Sequence, residues 1–338
     1  MLYIGIDHHK RHSTFTCVNQ QGEIVKSQKI YNTKQEIEKF LADIRVDDEF
    51  EVVLEAGRNW GIMYDTLEEI PKIKKVFLSN PYKTRAIADA RIKTDTIDSK
   101  TLAELLRGNL IPSLWIPPKE LREIKNVARF RIYLVRERVK IKNRIHNIIE
   151  RTHLEKPQVT DLFGRYGREW LNNVQMPERE RKLLDYHLDM YDYFTENIKE
   201  IERWLNQIVR GDEDIELLKT LPGIGKVFAV IIKLEIGDIN RFAHQSKLHS
   251  YSGLVPSTYQ SGNRIYHGRL IKRSNKYLRW AFIEAAVSSI KSSVYFRQHY
   301  ERIRNRKGSQ AGIVSTARKL ATVIYKILKQ RRAYREII

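Results

Sequence analysis

The sequence predicts an α/β domain followed by an all-α remainder. The expected division is residues 1–112 as the α/β domain, 113–210 as a coiled-coil helical hairpin, and 211–338 as a mainly helical C-terminal domain. Three observations carry this. Between Leu2 and Leu78, short apolar and β-branched runs alternate with turn residues and then with helical stretches. From Leu121 to Ile149 and again from Leu184 to Ile208, apolar residues recur three and four apart, with a mixed stretch holding Gly164, Gly167 and Pro177 between them. Beyond Arg210, helical patterns are joined by turns bearing glycine and proline. With 338 residues and 40.0 kDa, the chain is long enough for two or three cores.

Leu2-Tyr3-Ile4-Gly5-Ile6-Asp7 reads as a buried strand that delivers a carboxylate at its end. A carboxylate there is costly unless paired, and a metal ion is one partner that would pair it. His8-His9-Lys10-Arg11-His12 follows as a polar turn, for which a solvated basic loop is the better reading than a metal site. Ser13–Val18 and Ile24–Ile30 complete an antiparallel meander, and Asn32-Thr33 caps a helix through Leu41. Phe50–Leu54 is a fourth strand and ends in Glu55; a helix around Ile62–Leu67 and a fifth strand, Lys75–Leu78, come next. Asn80-Pro81 opens a helical region holding Asp95 and Asp98, which share a face at i and i+3. Asp7, Glu55, Asp95 and Asp98 thus offer hard oxygen ligands in a number that suits Mg²⁺ or Mn²⁺. Two such ions about 4 Å apart clamp both oxygens of a phosphodiester displacement.

Lys plus Arg number 61 and Asp plus Glu 41, a net charge of +20 with a pI near 9.8. A polyanion, nucleic acid before a membrane surface, accounts for that excess. No apolar run approaches transmembrane length, and the N-terminus lacks a signal-peptide pattern. Cys17 is the only cysteine, which excludes an internal disulfide and a multi-cysteine zinc site and fits a reducing, cytosolic setting.

After Pro117-Pro118, a long helix carries a dense run of cations, among them Arg129, Arg136, Lys140 and Arg144, read as a phosphate-binding face. A second long helix has a heptad seam, Leu184, Leu188, Tyr191, Phe194, Ile198, Ile201, Leu205 and Ile208, with an acidic flank. An antiparallel hairpin between the two and a seam between two protomers both fit. Leu221-Pro222-Gly223-Ile224-Gly225 reads as a tight turn between helices. It resembles a helix-hairpin-helix, with the amides of Gly223, Gly225 and Lys226 where a helix N-terminus favours phosphate, and a plain helix–helix turn fits equally well. A loop with Ser261-Gly262 is surrounded by Arg264, Arg269, Lys272 and Arg273. These cations are suited to hold a phosphate and stabilise a pentacovalent transition state at the serine. The serine still needs a base or metal to activate it.

Gly5-Ile6-Asp7, Leu54-Glu55 and Lys93-Thr94-Asp95-x-x-Asp98 resemble the DEDD transposases of bacterial insertion sequences. Pro222-Gly223-Ile224-Gly225, Glu235-Ile236-Gly237-Asp238, Tyr251-x-Gly253-Leu254-x-Pro256, Ser261-Gly262 and Leu278-Arg279 are similar to the C-terminal domain of that family. Ser99 replaces an expected alanine and Ser274 a typical glycine. The resemblance implies a RuvC-like, RNase H-like N-terminal domain. Asp7, Glu55, Asp95 and Asp98 would be its metal-holding catalytic set, and Ser261 the recombination nucleophile. It further implies Mg²⁺ or Mn²⁺ and DNA partners at element ends and target. A structured bridge RNA and homo-oligomers, dimer or tetramer, with composite sites are also expected. The setting is the cytoplasm of a bacterium or archaeon, at the nucleoid. Other readings are a resolvase-type nuclease with no covalent step, in which Ser261 is dispensable, and a non-catalytic RNA/DNA-binding protein with structural carboxylates. A sugar-kinase-like fold also opens on Gly-x-Asp, but no second glycine-rich phosphate loop is found.

Overall fold

The computed structural model describes residues 1–44, 49–88, 94–262 and 264–335, with residues 265 and 267 described by their backbone alone. Lys93 of the Lys-Thr-Asp motif, Asn263 of the serine turn and the His267 side chain therefore lie outside the described residues. Two compact units form, Met1–Lys119 and Glu120–Ile338.

The first unit is a five-stranded mixed sheet. The strands β1 (Leu2–His8), β2 (His12–Val18), β3 (Ile24–Tyr31), β4 (Phe50–Glu55) and β5 (Ile73–Ser79) lie in the order β3-β2-β1-β4-β5. The β1-β2-β3 meander is antiparallel, and β4 and β5 join β1 in parallel. Parity along the strands sorts the two faces. Even residues of β1 and β4, Leu2, Ile4, Ile6, Val52 and Leu54, enter a large apolar core. That core also takes in α1 (Lys34–Ala42) and α2 (Trp60–Glu68) through Ile37, Phe40, Met63 and Leu67. Odd residues face α4 (Asp95–Arg107): Val53 packs with Leu102 and Leu106, flanked by Tyr3 and Phe77. The short α3 (Pro81–Ile87) starts at Asn80, whose side chain accepts from the amides of Tyr82 and Lys83. This is the RuvC-like, RNase H-like arrangement.

The second unit is mainly helical. The long α5 (Lys119–Arg151), the short α6 (Arg165–Asn173) and α7 (Glu178–Ile208) share a core of Ile141, Ile145, Ile149, Leu171, Leu184 and Leu188. Arg131 reaches Glu202 at 2.5 Å, Arg138 donates to Thr195 at 3.5 Å, and Arg151 reaches Glu180 at 2.5 Å. As the first number climbs the second falls, so α5 and α7 run antiparallel within one chain. The remaining elements are α8 (Glu213–Lys219), α9 (Lys226–Ile236), α10 (Gln245–Tyr251), β6 (Pro256–Ser261), β7 (Arg264–Leu270), α11 (Lys276–Ser292), α12 (Val294–Lys307) and α13 (Ser309–Gln330). Their core centres on Ile231, Leu278, Phe282, Phe296, Leu320 and Ile324. Residues 256–270 correct the expectation of a loop: they form an antiparallel hairpin, because Thr258, Tyr259, Ile265 and Tyr266 are good strand formers flanking a Gly-bearing turn. Helix α13 begins at Ser309, directly after Gly308. No helix among the described residues is long and apolar enough to cross a membrane.

Candidate active site

The site in the first unit grows out of one row of the sheet. Asp7 pairs with Thr14, and Thr14 with Lys29, so these side chains project to the same face. On the parallel side Ile6 pairs with Leu54, which puts Asp7 and Glu55 one step further along, at adjacent strand ends. Helix α4 lies over that face. Its closeness depends on Gly5, where any Cβ would run into the carbonyl oxygen of Ser99 and the amide of Ala103. Ser99 is fully buried and shares a 2.7 Å hydrogen bond with Thr16, which in turn bonds Ser27 at 2.8 Å. The serine that replaces the expected alanine therefore ties α4 to β2 and β3. Thr94 caps the helix by accepting from the Ile97 amide at 3.2 Å. Asp95 and Asp98 fall in the first turn, where the helix dipole favours negative charge.

The β1–β2 turn is pinned as well. Ser13 Oγ donates to Asn32 Oδ1 at 2.7 Å, so the link at 2.9 Å from His8 Nδ1 to Ser13 Oγ has the imidazole as donor. Asn32 Nδ2 donates to the His9 carbonyl at 2.7 Å. The result holds His9 Nε2 3.1 Å from Asp7 Oδ2 and 3.6 Å from Asp95 Oδ1. One ligand atom from each of Asp7, His9 and Asp95 lies within 4.8 Å of the other two. Lys29 Nζ completes the group, 3.1 Å from Asp95 Oδ2. Burial raises the Asp7 pKa above its usual value; His9 opposes this, and the charges of Asp95 and Asp98 add to it. Asp95 is held below its usual value by the hydrogen bond from Lys29, against a smaller opposing effect of burial. Two carboxylates and an imidazole converge where like charges already repel, and a divalent cation relieves that repulsion. The donor set fits such an ion.

Of the four expected carboxylates, Asp7 and Asp95 converge. Asp98 is near enough to act on Asp7 through its charge, and Glu55 occupies the neighbouring strand end. His9 lies in the exposed turn that the sequence suggests, yet its ring also reaches Asp7 and Asp95. The alternation Asp7, His8, His9 carries the strand's parity past its end, and that spacing was the available signal. Lys29 was legible only through strand register.

In the second unit, Ser261 ends β6 and pairs with Arg264, which starts β7. Gly262, at φ +55°, makes the turn between them. Both residues and Arg269, Lys272 and Arg273 are exposed. The base of the hairpin is fastened: Arg279 donates to the carbonyls of Ser252 and Ile271 and to Ser274 Oγ. Asn275 links the Glu235 carboxylate, at 2.8 Å, to the Tyr251 hydroxyl, at 3.1 Å.

Glu235 also changes the reading of Arg129. The Arg129 guanidinium grips the buried Glu235 carboxylate through two bonds of 2.7 and 2.8 Å. Burial opposes the charge on Arg129, but these bonds and the charge of Glu235 prevail and raise its pKa. Arg129 is thus engaged by a buried carboxylate, a tie that the cation run alone does not reveal. Arg136, Lys140 and Arg144, by contrast, are exposed, and Lys140 has Glu137 beside it at 2.7 Å. Gly223, at φ +88°, is required by packing, since a Cβ there would strike the backbone of Ser289. Gly225 and Lys226 are exposed at the start of α9, beside a cleft of about 550 Å³ lined by Thr220, Leu221, Pro222 and Ser288.

Sequence comparison now bears on these two sites. Residues 4–154 match the model of IS110-type DEDD transposases, described as a transposase, and residues 215–301 match the Transposase IS116/IS110/IS902 family. The transposase for insertion sequence element IS1328 of Yersinia enterocolitica is 28% identical over 57% of this chain and 58% of its own length. The insertion element IS116 uncharacterized 44.8 kDa protein of Streptomyces clavuligerus is 23% identical over 98% of this chain and 96% of its own. The pilin gene-inverting protein of Moraxella bovis is 28% identical over 77% and 74%. The carboxylate cluster lies within the first matched segment and the serine hairpin within the second: the chain belongs to the IS116/IS110/IS902 family of DNA transposases.

Proposed function

We propose that this protein cuts and rejoins DNA at the ends of an insertion sequence, using the carboxylates around Asp7 and the serine at the hairpin tip. The observation that carries this is the convergence of Asp7, His9 and Asp95 at the end of a sheet strand beneath a helix N-terminus. Asp7 and Asp95, with Glu55 and Asp98 beside them, would hold Mg²⁺ or Mn²⁺, and the His9 nitrogen suits Mn²⁺ better. Such an ion supplies Lewis-acid activation of a phosphodiester oxygen when bound. Lys29 steadies Asp95, and the cap of α4 fixes both helix carboxylates.

Ser261 is the proposed nucleophile. Its Oγ forms a bond to phosphorus as the bond to the leaving deoxyribose oxygen breaks; the serine proton passes to a base, which returns it to the leaving oxygen so that this departs as a hydroxyl. Arg264, Arg269, Lys272 and Arg273 contact the phosphate, and Arg136, Lys140, Arg144 and the amides of Gly223, Gly225 and Lys226 contact the nucleic-acid backbone. A structured guide RNA and a homo-oligomer complete the proposal, supported by the family and by the +20 charge. Residues 1–112, 113–210 and 211–338 would serve as catalytic domain, hairpin and serine-bearing domain.

One observation favours a second reading. The Asp7 cluster is complete within its own unit, as a resolvase-type nuclease requires, and needs no serine. The test is strand cleavage of element-end DNA, with the flanking transcript, in Mg²⁺, Mn²⁺ or EDTA. Cleavage should require the metal and vanish in Asp7→Asn and Asp95→Asn. Full cleavage in EDTA would sink the metal reading; full cleavage by Ser261→Ala would favour the nuclease.

A further inference from the structure

We propose that Tyr259 and Tyr266 form a stacking platform for an unpaired nucleobase beside Ser261, so that DNA meets the serine as a locally unstacked strand. This rests on reading the hairpin as the element that handles DNA. In the β6–β7 register Tyr259 pairs with Tyr266, and Ser261 with Arg264. Two residues along a strand return to the same face, so both phenol rings share a face with Ser261 and Arg264. Directly paired side chains lie about 5 Å apart at Cβ, close enough for two rings to make one apolar surface. Yet Tyr259 is 65% exposed and Tyr266 69% exposed. Cross-strand pairing alone explains strand preference. It does not explain two large rings left open to water at the tip of a hairpin.

Charge identifies the occupant. No Asp or Glu stands between Asp238 and Glu284, whereas Arg264, Arg269, Lys272 and Arg273 cluster on the hairpin and just after it. Aromatic faces interleaved with cations and free of acids suit a single strand, whose bases stack while its phosphates are neutralised. A paired base hides both faces in the duplex. Only a base that has left the stack presents one to a tyrosine. The rings lie a two-residue step from Ser261, about 7 Å along the strand, where a base flanking the attacked phosphate would fall.

The test uses the full-length protein carrying Ser261→Ala, in EDTA, so that no strand is cut. The probe is a single-stranded oligodeoxynucleotide with one 2-aminopurine, whose fluorescence falls on stacking. Binding should quench it. Tyr259→Leu with Tyr266→Leu should abolish the quenching and weaken single-strand binding about 10-fold or more, with duplex binding changed far less. Tyr259→Phe with Tyr266→Phe should restore both, since the rings return. Tyr259→Leu alone leaves Tyr266 beside Gly268, where it flanks the glycine, and guards against a collapsed hairpin. Quenching that survives in the double leucine variant, or equal loss for single and double strands, would overturn the platform. Neither outcome depends on cleavage, so failure of the serine as nucleophile, seen as cutting by Ser261→Ala in Mn²⁺, is read separately.

Discussion

At Gly5 a single methyl group would meet the backbone of α4 at both Ser99 and Ala103. Gly5→Ala should therefore push α4 off the sheet, at a cost of about 1–3 kcal/mol, and loosen the hold on Asp95. Thermal melting with and without Mn²⁺ checks both effects: a lower melting temperature and a smaller rise on adding the ion. Asp7 gives the complementary case. Asp7→Asn removes a like charge from beside Asp95 and Asp98, so it should melt no lower than wild type in EDTA yet lose the rise that Mn²⁺ gives the wild type. At 100 times its dissociation constant, a bound ion stabilises by about 2.7 kcal/mol, which melting resolves easily. Lys125 makes the pH-dependent case. Burial lowers its pKa to about 8; Glu235 opposes this, while Arg129 and Arg241 add to it. Its folded value lies below the unfolded one, so between pH 8 and about 10.5 the unfolded chain binds the additional proton and stability gains with rising pH from this group. Lys125→Met should flatten that limb in chemical denaturation across the range.

The elements differ in how far the sequence reveals them. Strands β1 and β4 were legible because a strand covered on both faces reads as a short, near-continuous apolar run. Asp7 and Glu55 were legible for the same reason, being carboxylates at the ends of apolar runs. His9 was not, because its place depends on Asn32, a residue from another turn. The partner of Arg129 was not legible because α5 carries many cations, and only tertiary structure says which find acids. Glu235 was unreadable as its partner: it lies in an apolar helix far along the chain. The serine hairpin was missed because β6 is exposed on both faces from Thr258 to Ser261, and such a strand carries no alternation. The Arg129–Glu235 pair yields its own expectation. Glu235→Ala strands buried cations and should cost about 3–5 kcal/mol, whereas loss of an exposed pair such as Lys199–Glu196 should cost under about 1 kcal/mol. Urea denaturation of both variants compares them directly.

For the molecule as a whole, the +20 charge makes nucleic-acid affinity a function of salt. Arg136, Lys140 and Arg144 lie outward on α5, with Glu137 beside Lys140. Replacing all of them with alanine should flatten the slope of log affinity against log salt by up to about 3, by fluorescence anisotropy, without changing sequence preference. In the proposed function that charge brings DNA to the protein, and the chemistry falls to the two candidate sites. The most direct measurement is to trap the reaction of the intact protein with element-end DNA in Mn²⁺ under denaturing conditions and to map any protein–DNA bond by mass spectrometry. The account predicts a phosphodiester to Ser261 in the wild type that is absent from both Ser261→Ala and Asp7→Asn. Cleavage of the same ends by Ser261→Ala, with no bond to the protein, would contradict it.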